Sequence, residues 1–403
     1  MKYTPQEVIQ YVLEEDVKFV RMAFCDIYGR QRNVAIMSAE LPRAFEHGIA
    51  FDASAVRGFN PGVRSDLFLR PDASTLTELP WRPQHGRVAH MFCDIVYPDG
   101  RPFEADTRFI LRRACERAAG RGYDFSFGTE MEFYLFRLDE RGEPTSEPFD
   151  NAGYMDVAPE DRGENVRRDI CLMLERMGIY PESSHHESGP GQNEIDFRYA
   201  DPVSAADNAV HFRSVVKTVA AQNGLWADFS PRPLADRDGN GMHINLSARR
   251  GGSDVPPTLL VPGLLERIRD MTLFLNPSEK SYERLGRDKA PAYITWSEEN
   301  RSQLVRVPAA LGEYRRLELR SPDGTANPYL AFALIINACL DGIERGAELP
   351  EPANFDAFTA DAQTLSRFER LPGTLAEASA AASGSGFIEA CIPRRIIDGY
   401  TVG

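Results

Sequence analysis

Four segments of the chain alternate between apolar and polar residues, which is the period-2 pattern of a strand with one polar face. In residues 194–199, charged side chains occupy every second position and apolar or aromatic side chains occupy the others. The same alternation occurs in residues 130–133, 242–247 and 316–320, where the polar positions include glutamates, arginines and one histidine, His243. The pattern predicts four amphipathic strands in a curved sheet whose polar side lines a cavity.

A Gly-Pro-Gly turn at residues 189–191 separates two acidic positions, Glu187 and Glu194. Carboxylates that are crowded into one cavity repel each other unless a cation lies among them. Oxygen ligands with a single imidazole suit Mg²⁺ or Mn²⁺ better than zinc, which prefers histidine and cysteine. One such strand alone is more typical of a solvated face with glutamate–arginine pairs, but four together favour a metal-binding cavity.

The pattern of residues 1–100 predicts a small α+β domain built around a sheet. Its start is marked by a capping box with proline at the first helical position. The elements predicted there are a helix from the Thr4–Glu7 box, a hairpin of residues 18–26 and 32–37, a helix at 39–47 that ends at Gly48, and a loop at 51–59 that contains Asp52.

Residues 104–403 predict a larger domain, in which helices alternate with the cavity strands. Each predicted helix ends near glycine, asparagine or proline, as helix termination requires. These helices are predicted at about residues 106–119, 162–177, 202–223, 257–275 and 328–345, with a further helix and turn in the Ala/Ser/Gly-rich stretch 375–386.

Composition excludes several classes of function. The formal net charge of −14 argues against a nucleic-acid partner, and no apolar run is long enough to predict a membrane span. The six cysteines form no C-x-x-C pair; without an apparent signal segment they predict reduced thiols and a cytoplasmic protein. Neither a phosphate-binding G-x-x-x-x-G-K-[ST] loop nor a strand-linked G-x-G-x-x-G is present, so any nucleotide binds by other means.

The order of the motifs resembles that of class I glutamine synthetases and related γ-glutamyl-amide ligases. The matching segments run from one end of the chain to the other and are therefore highly specific. They include Phe127–Phe133, His185–Glu194, Gly239–His243, Asn300–Ser302, Arg306–Pro308, Arg316–Arg320 and Asn327–Leu330. The resemblance implies an N-terminal β-grasp domain and a larger catalytic domain, whose curved antiparallel sheet lines the active site. It also implies a homo-oligomer, a dodecamer of two stacked hexameric rings with active sites between subunits.

The reaction implied by this resemblance joins the γ-carboxylate of glutamate to ammonia through γ-glutamyl phosphate, with ATP as co-substrate and ADP and phosphate as products. Two or more Mg²⁺ or Mn²⁺ ions are implied at each site. One alternative is a ligase for an organic amine such as methylamine, ethanolamine or a polyamine. Another is a catalytically silent regulatory or structural ring, which the complete set of metal-ligand positions disfavours.

Residue roles implied by the resemblance fall into four sets. The first metal set is Glu132, Glu187 and Glu194, and the second is Glu130, His243 and Glu318. The ATP set is Glu182, Tyr199, Asn245, Ser247, Arg306 and Arg316. The substrate set is Gly239, Arg284, Arg301, Arg320 and Tyr154, and the catalytic set is Asp52, Arg301 and Arg320. His185 and His186 are expected to hydrogen-bond beside the ligands rather than to bind a metal.

One departure from the family's pattern affects the choice of amine. Lys289 stands in a flap where relatives usually carry glutamate. That carboxylate helps to take a proton from bound ammonium, which a lysine with an ordinary pKa near ~10.4 cannot do at neutral pH. Two interpretations stay open from the sequence: Asp288 takes over the role, or the flap stays open with Lys289 in solvent. Asp238 and Arg232 are further departures near the same site.

Overall fold

The structure of the protein is a computed structural model that describes residues 3–59, 62–82, 85–310 and 312–401, with Glu313 described by its backbone alone. Its N-terminal part is a mixed sheet in the strand order β2-β1-β6-β4-β3, with β5 paired to β6 and with β1 parallel to β6. The elements are α1 Pro5–Glu14, β1 Val17–Cys25, β2 Gln31–Met37, α2 Leu41–His47, β3 Ile49–Asp52, β4 Asp66–Pro71, β5 Thr77–Glu78 and β6 Arg87–Val96.

Local sequence explains most of this part. The Thr4 and Glu7 side chains form the predicted reciprocal capping box at the start of α1, and β1 and β2 form the predicted antiparallel hairpin. The loop prediction for residues 51–59 was wrong at its beginning. Phe51 and Asp52 belong to β3, because its four residues pair antiparallel with β4.

A second sheet contains the strands of residues 123–319, in the order β14-β15-β16-β12-β7-β10-β9. All four strands predicted from alternation are direct neighbours in its centre, namely β16, β12, β7 and β10. The strands are β7 Tyr123–Leu138, β8 Pro144–Pro148, β9 Pro181–His186, β10 Gln192–Phe197, β11 Leu225–Asp228, β12 Met242–Arg250, β13 Ser253–Asp254, β14 Trp296–Glu298, β15 Val305–Val307 and β16 Leu317–Leu319.

Helices flank the second sheet and form most of the remaining core. They are α3 Thr107–Ala119, α4 Glu164–Arg176, α5 Pro202–Gln222, α6 Val261–Leu275, α7 Glu279–Arg284, α8 Pro328–Arg345, α9 Ala362–Leu365, α10 Leu375–Ser383, α11 Gly386–Cys391 and α12 Arg394–Thr401. The predicted helices are confirmed, although Pro257–Leu259 forms a separate 3-10 turn before α6. Among the described residues, no helix combines the length and the apolar character needed to cross a bilayer. The domain bounds 1–100 and 104–403 stay a prediction.

Buried ion pairs fix the first sheet against the helices of the second. The guanidinium of Arg108 on α3 is 2.9 Å from Asp72, 3.1 Å from Asp94 and 2.9 Å from Asp207 of α5. Arg112, one turn further along α3, also contacts Asp72 and Asp94. Because the carboxylates come from both parts of the chain, these pairs set the relative position of the two sheets.

The last helix, α12, returns to the first sheet. The Tyr400 hydroxyl donates to the backbone oxygen of Ile27 at 2.8 Å, and the Tyr28 hydroxyl donates to that of Gly399 at 2.9 Å. The side-chain amide of Asn327 donates to the same Ile27 oxygen at 3.0 Å. The turn between β1 and β2 is therefore held by residues from the far end of the chain.

Two buried imidazoles, His90 of β6 and His211 of α5, pack together where the first sheet contacts the helices of the second. Their ring centroids are 4.5 Å apart. Burial lowers the pKa of His211 to about 4, and it also lowers the pKa of His90, with smaller effects of His211 and Arg21. Histidine in an unfolded chain titrates near ~6.5. Below that pH, these two histidines bind protons in the unfolded chain but stay neutral in the folded chain until the pH is much lower. Acid therefore favours unfolding.

We expect the free energy of unfolding to fall between pH 7.5 and pH 5, with His211 alone contributing about 2 kcal/mol of that fall. Urea unfolding of wild type and His211→Asn at both pH values measures this contribution. The variant should lose less stability on acidification than wild type. An identical loss in the two proteins would show that His211 does not carry the effect.

Candidate active site

Strand register brings the predicted acidic residues onto one side of the second sheet. Glu194 on β10 lies directly opposite Glu132 on β7 and opposite His185 on β9. In the next row, Glu130 lies opposite both Asp196 and His243. Directly paired residues of neighbouring strands project from the same face. The alternation seen in the sequence therefore becomes a cluster of carboxylates and imidazoles.

One candidate metal group consists of Glu130, His243 and Glu318, whose ligand atoms lie within 4.8 Å of one another. The Nδ1 atom of His243 is 3.3 Å from a Glu130 oxygen and 3.5 Å from a Glu318 oxygen. These are the three residues that the resemblance implies for one ion.

A second candidate group brings together Glu187, Glu194 and His185. The third residue predicted for this ion, Glu132, lies outside that tight group. One of its oxygens accepts hydrogen bonds from the Gly241 backbone at 2.9 Å and from the Gln192 side chain at 3.2 Å. Glu132 nevertheless lines the same small cavity as Glu187.

The crowding of these acids shifts the pKa values of their carboxyl groups. Burial raises the pKa of Glu194 well above its usual range, and the neighbouring carboxylates, Glu132 foremost, raise it further. Burial and Glu130 together raise the pKa of Asp196 to about 6. Burial is also the largest single effect on Glu130, but the hydrogen bonds with His243 and Asn245 and the charges of His243 and Arg316 together outweigh it and bring the pKa to about 2.

This donor set fits hard divalent cations. Carboxylate oxygens predominate, with an imidazole in each group, which is the combination that suits Mg²⁺ or Mn²⁺. One oxygen of Asp196 is buried and has no hydrogen-bond partner among the described residues. A cation in the cluster would offset both the mutual repulsion of the acids and the desolvation of their charges.

Arginines border the cluster on the side of β15 and β16. Arg306 and Arg320 each donate to Glu318, at 2.6 Å and 2.5 Å. Within the described part of the chain, the buried Nε of each has no partner. Arg316 donates to Asn245 at 2.9 Å, and Asn245 donates to Glu130 at 2.8 Å. Four predicted residues are thereby connected to the candidate metal groups.

Glycine backbone forms one wall of the small cavity beside Glu132. A Cβ atom on Gly239 would lie 2.3 Å from the Pro231 carbonyl oxygen, so only glycine fits there. Buried Arg284 lines the same cavity and donates to the Ser321 backbone at 2.8 Å. The structure thus brings the predicted substrate residues Gly239 and Arg284 next to the acids.

The other three predicted nucleotide residues are Tyr199, Ser247 and Glu182. Tyr199 lies beside Gly128, where a Cβ atom would be 3.7 Å from the tyrosine ring. The buried Tyr199 hydroxyl has no partner in the ranges that the structure describes. Ser247 is half-buried on β12, and Glu182 is exposed on β9. Burial raises the pKa of Tyr199. The charge of Arg316 lowers this pKa by less, and the charges of Glu130 and Glu182 raise it.

Two predicted catalytic residues are not brought to the cluster by the contacts of this chain. Asp52 is exposed at the end of β3, where its carboxylate accepts hydrogen bonds from Ser54. Arg301 is exposed in the turn after β14. Among the described residues, neither side chain has an ion pair with any of the candidate metal ligands.

The contacts of Lys289 and Asp288 in the flap match neither of the two interpretations left open by the sequence. The Lys289 ammonium is 3.2 Å from a Glu187 oxygen and 2.7 Å from the Ser188 hydroxyl, and it lies 4.7 Å from the centroid of the Tyr154 ring. Asp288 instead pairs with Arg232 at 3.1 Å. Lys289 therefore contacts the site rather than lying free in solvent, and Asp288 is engaged elsewhere.

Sequence reasoning missed several residues of the site. Gln192 binds Glu132 and the Gly239 carbonyl oxygen, and its place directly after the Gly-Pro-Gly turn was the available signal. Asp196 joins Glu130 and Glu194 in a further acidic group, although the alternation had already placed it on the polar face. The Arg232–Asp288 pair had no signal, because its partners are far apart in the chain.

Two family models match the chain. Residues 16–98 match the family described as "Glutamine synthetase, beta-Grasp domain", and residues 104–402 match "Glutamine synthetase, catalytic domain". The chain belongs to the glutamine synthetase family. The predicted fold, a β-grasp domain followed by a catalytic domain with a curved sheet, is confirmed.

Full-length relatives show the same likeness. The chain is 43% identical to a glutamine synthetase of Methanosarcina mazei, over 98% of this chain and 92% of the relative. It is also 43% identical to one of Clostridium saccharobutylicum, over 94% of this chain and 88% of the relative. The protein is thus a ligase of the glutamine synthetase type.

Solved structures extend the comparison. A GmaS/ADP complex superposes with a TM-score of 0.89 at 30% identity, covering 98% of this chain and 94% of that one. The glutamine synthetase of Plasmodium falciparum superposes with a TM-score of 0.87, covering 100% and 96% of the two chains. At 22% identity, the latter likeness concerns the fold alone.

Proposed function

We propose that this protein joins the γ-carboxylate of glutamate to an amine, with ATP as the energy source and γ-glutamyl phosphate as the intermediate. The observation that carries the proposal is the pair of candidate metal groups on one sheet face, bordered by arginines that contact Glu318. Phosphoryl transfer requires positioning and charge neutralisation, and this arrangement provides groups for both.

The metal-binding roles follow the two groups. Glu130, His243 and Glu318 would hold one Mg²⁺ or Mn²⁺, and Glu132, Glu187 and Glu194 would hold another. Bound there, the ions would supply positive charge to the phosphate oxygens of ATP. The proposal assigns His185 a place beside the second ion, 3.6 Å from a Glu194 oxygen.

The substrate roles follow from the arginines and the glycine wall. Arg284 is assigned to the α-carboxylate of glutamate, Arg320 to the γ-carboxylate, and Gly239 to a backbone contact. Arg301, Arg306 and Arg316 are assigned to phosphate oxygens, because a planar guanidinium matches them bidentately. The phosphate role of Arg306 and the γ-carboxylate role of Arg320 have the same support. Each arginine retains a buried Nε with no partner in the described residues.

The nucleotide is assigned to the end of the sheet near Tyr199, with the ring under the adenine and with Glu182, Asn245 and Ser247 as further contacts. Two observations support this placement. The Tyr199 hydroxyl is buried and no described residue hydrogen-bonds to it, and the similar GmaS structure is an ADP complex.

Ammonia is the first candidate for the amine, because the curated relatives at 43% identity are glutamine synthetases. An organic amine is the second, and Lys289 favours it. Its cationic group lies between Glu187 and the Tyr154 ring, where a small ammonium ion would be placed by the family resemblance. Two like charges about 4 Å apart cost roughly 4 kcal/mol at an effective dielectric constant near 20, before screening by solvent.

We further propose the double hexameric ring, with Asp52 completing the site of a neighbouring subunit. Asp52 supports this proposal because it is exposed and has no described contact with the acid cluster of its own chain.

The decisive experiment measures ADP release with glutamate, Mg²⁺ or Mn²⁺ and a panel of amines that includes ammonium, methylamine, ethanolamine and a polyamine. We expect release that requires glutamate and an amine together. Fastest release with ammonium would identify ammonia as the substrate, and faster release with an organic amine would identify the second candidate. Reactions without glutamate serve as the control. If no amine supports ADP release, the ligase proposal fails and the silent-ring alternative gains support.

A further inference from the structure

Asp150, in the segment between β8 and α4, is a buried junction directly behind the Gly-Pro-Gly turn. Its Oδ1 accepts from the Gly191 backbone at 2.9 Å and from the Ala152 backbone at 3.3 Å. Its Oδ2 accepts from the Arg162 backbone at 3.1 Å. One carboxylate thereby joins the turn to both ends of the segment 152–162.

His186 extends this junction toward the acid cluster. Its ring is fully buried, with Nε2 2.9 Å from Asp150 and Nδ1 2.7 Å from the backbone oxygen of Glu187. Both partners are oxygen atoms, so the ring links the Asp150 carboxylate to the Glu187 backbone. The imidazole therefore fixes the backbone of Glu187, whose side chain belongs to a candidate metal group.

The same junction also supports the amine side of the site. The Met155 backbone donates to the His186 backbone oxygen at 3.0 Å, and Ala152 is tied to Asp150. Tyr154 lies between these two attachments. Its ring is exposed and stands 5.5 Å from that of His185.

The junction is not itself a metal site, although Asp150, Asp161 and His186 lie close enough to hold an ion. Arg167 already fills the place of a cation there, because its guanidinium contacts both oxygens of Asp161 at 3.1 Å and 2.5 Å. The Asp150 carboxylate is likewise saturated by His186 and backbone donors.

We propose that Asp150 and His186 are positioning residues that hold Glu187 and Tyr154 in a fixed relation to each other. They act through the Glu187 backbone and through the segment that carries Tyr154, without touching either substrate. The inference rests on the proposed function, because it assigns Glu187 to a metal and Tyr154 to the amine. Loss of either residue should therefore weaken metal binding and amine binding together.

Mn²⁺ binding to the intact protein tests the predicted effect on metal affinity without turnover. The electron paramagnetic resonance signal of free Mn²⁺ measures this binding. Residues that orient metal ligands typically contribute 10- to 100-fold in metal affinity. We expect Asp150→Asn and His186→Ala each to weaken Mn²⁺ binding by about 10-fold or more. His186→Asn keeps a donor for the Glu187 oxygen, so its affinity should lie between those of His186→Ala and wild type. It also keeps the test possible if His186→Ala does not fold.

Steady-state kinetics test the amine half. Asp150→Asn should raise the apparent KM for the amine while leaving that for ATP close to the wild-type value, since most of the proposed nucleotide residues lie on or beside β12, β15 and β16, away from the junction. An unchanged amine KM in this variant would refute the coupling of Tyr154 to Glu187.

Asp207→Asn is the matched control, because Asp207 is another buried aspartate, bonded to Arg108 and Tyr329 at the interface of the two sheets. It should lower the thermal midpoint but leave Mn²⁺ affinity unchanged. If it weakens Mn²⁺ binding as much as Asp150→Asn does, or if folded Asp150→Asn binds Mn²⁺ like wild type, the positioning role is refuted. Wild type that binds Mn²⁺ but releases no ADP with any amine would instead contradict the proposed function.

Discussion

Glu132→Gln is expected to lower ADP release at saturating glutamate by more than about 30-fold, which corresponds to ~2 kcal/mol of transition-state stabilisation. Glutamine keeps the shape of the side chain and an oxygen for the Gly241 backbone donor, but it removes the negative charge opposite Glu194. A divalent cation that depends on several charged oxygens would then lose one of them. Initial rates of ADP release, measured with the amine that wild type uses best, provide the comparison.

Asp124→Asn is a suitable control for this prediction. Asp124 lies on the same strand but is exposed and far along β7, opposite Arg249. The same loss of one carboxylate charge should leave ADP release nearly unchanged there. Near wild-type release by Glu132→Gln would contradict the assignment of the metal to this face of the sheet.

Lys289→Glu is expected to lower the apparent KM for ammonium by roughly 10-fold and to raise ammonium-dependent ADP release. The substitution removes a cation that contacts Glu187 and Tyr154 and supplies a carboxylate able to accept a proton. The Lys289 side chain is 55% exposed, so solvent screening reduces the full Coulomb repulsion to about 1–2 kcal/mol. The apparent KM values for ATP and glutamate should stay nearly constant.

Lys289→Gln separates the two contributions. It removes the positive charge without supplying a base, so it should lower the ammonium KM but raise the maximal rate less than Lys289→Glu does. If wild type already forms glutamine efficiently at sub-millimolar ammonium and Lys289→Glu has no effect, the flap does not select the amine.

Alternation in the sequence was enough to predict the central sheet because each of these strands has one polar and one apolar face. The pattern identified β7, β10, β12 and β16, and the structure places them side by side. It did not identify β14 and β15, because these strands are defined by their pairing with neighbours and not by a longer alternating segment such as residues 316–320 around β16. The β3 strand was missed for a similar reason, since only its pairing with β4 distinguishes it from a loop.

The site was predictable as a set of residue types but not as a set of contacts. Period 2 placed Glu130, Glu132 and Glu194 on polar faces, and the family resemblance grouped them by ion. Which atoms meet depends on strand register and on the turn that carries Glu187, so the approach of His185 to Glu194 could not be read from spacing. Lys289 illustrates the same limit, because its contacts with Glu187 and Ser188 join residues about a hundred positions apart.

The attachment of α12 to the β1–β2 turn has a consequence for synthesis on the ribosome. The backbone oxygen of Ile27 accepts hydrogen bonds from Asn327 and Tyr400, and these partners emerge 300 and 373 residues later. At ~5–20 residues per second, that interval lasts roughly 15 seconds to more than a minute. Throughout that time the nascent N-terminal sheet holds an open docking surface, so a chaperone or another nascent chain has its best opportunity to bind it there.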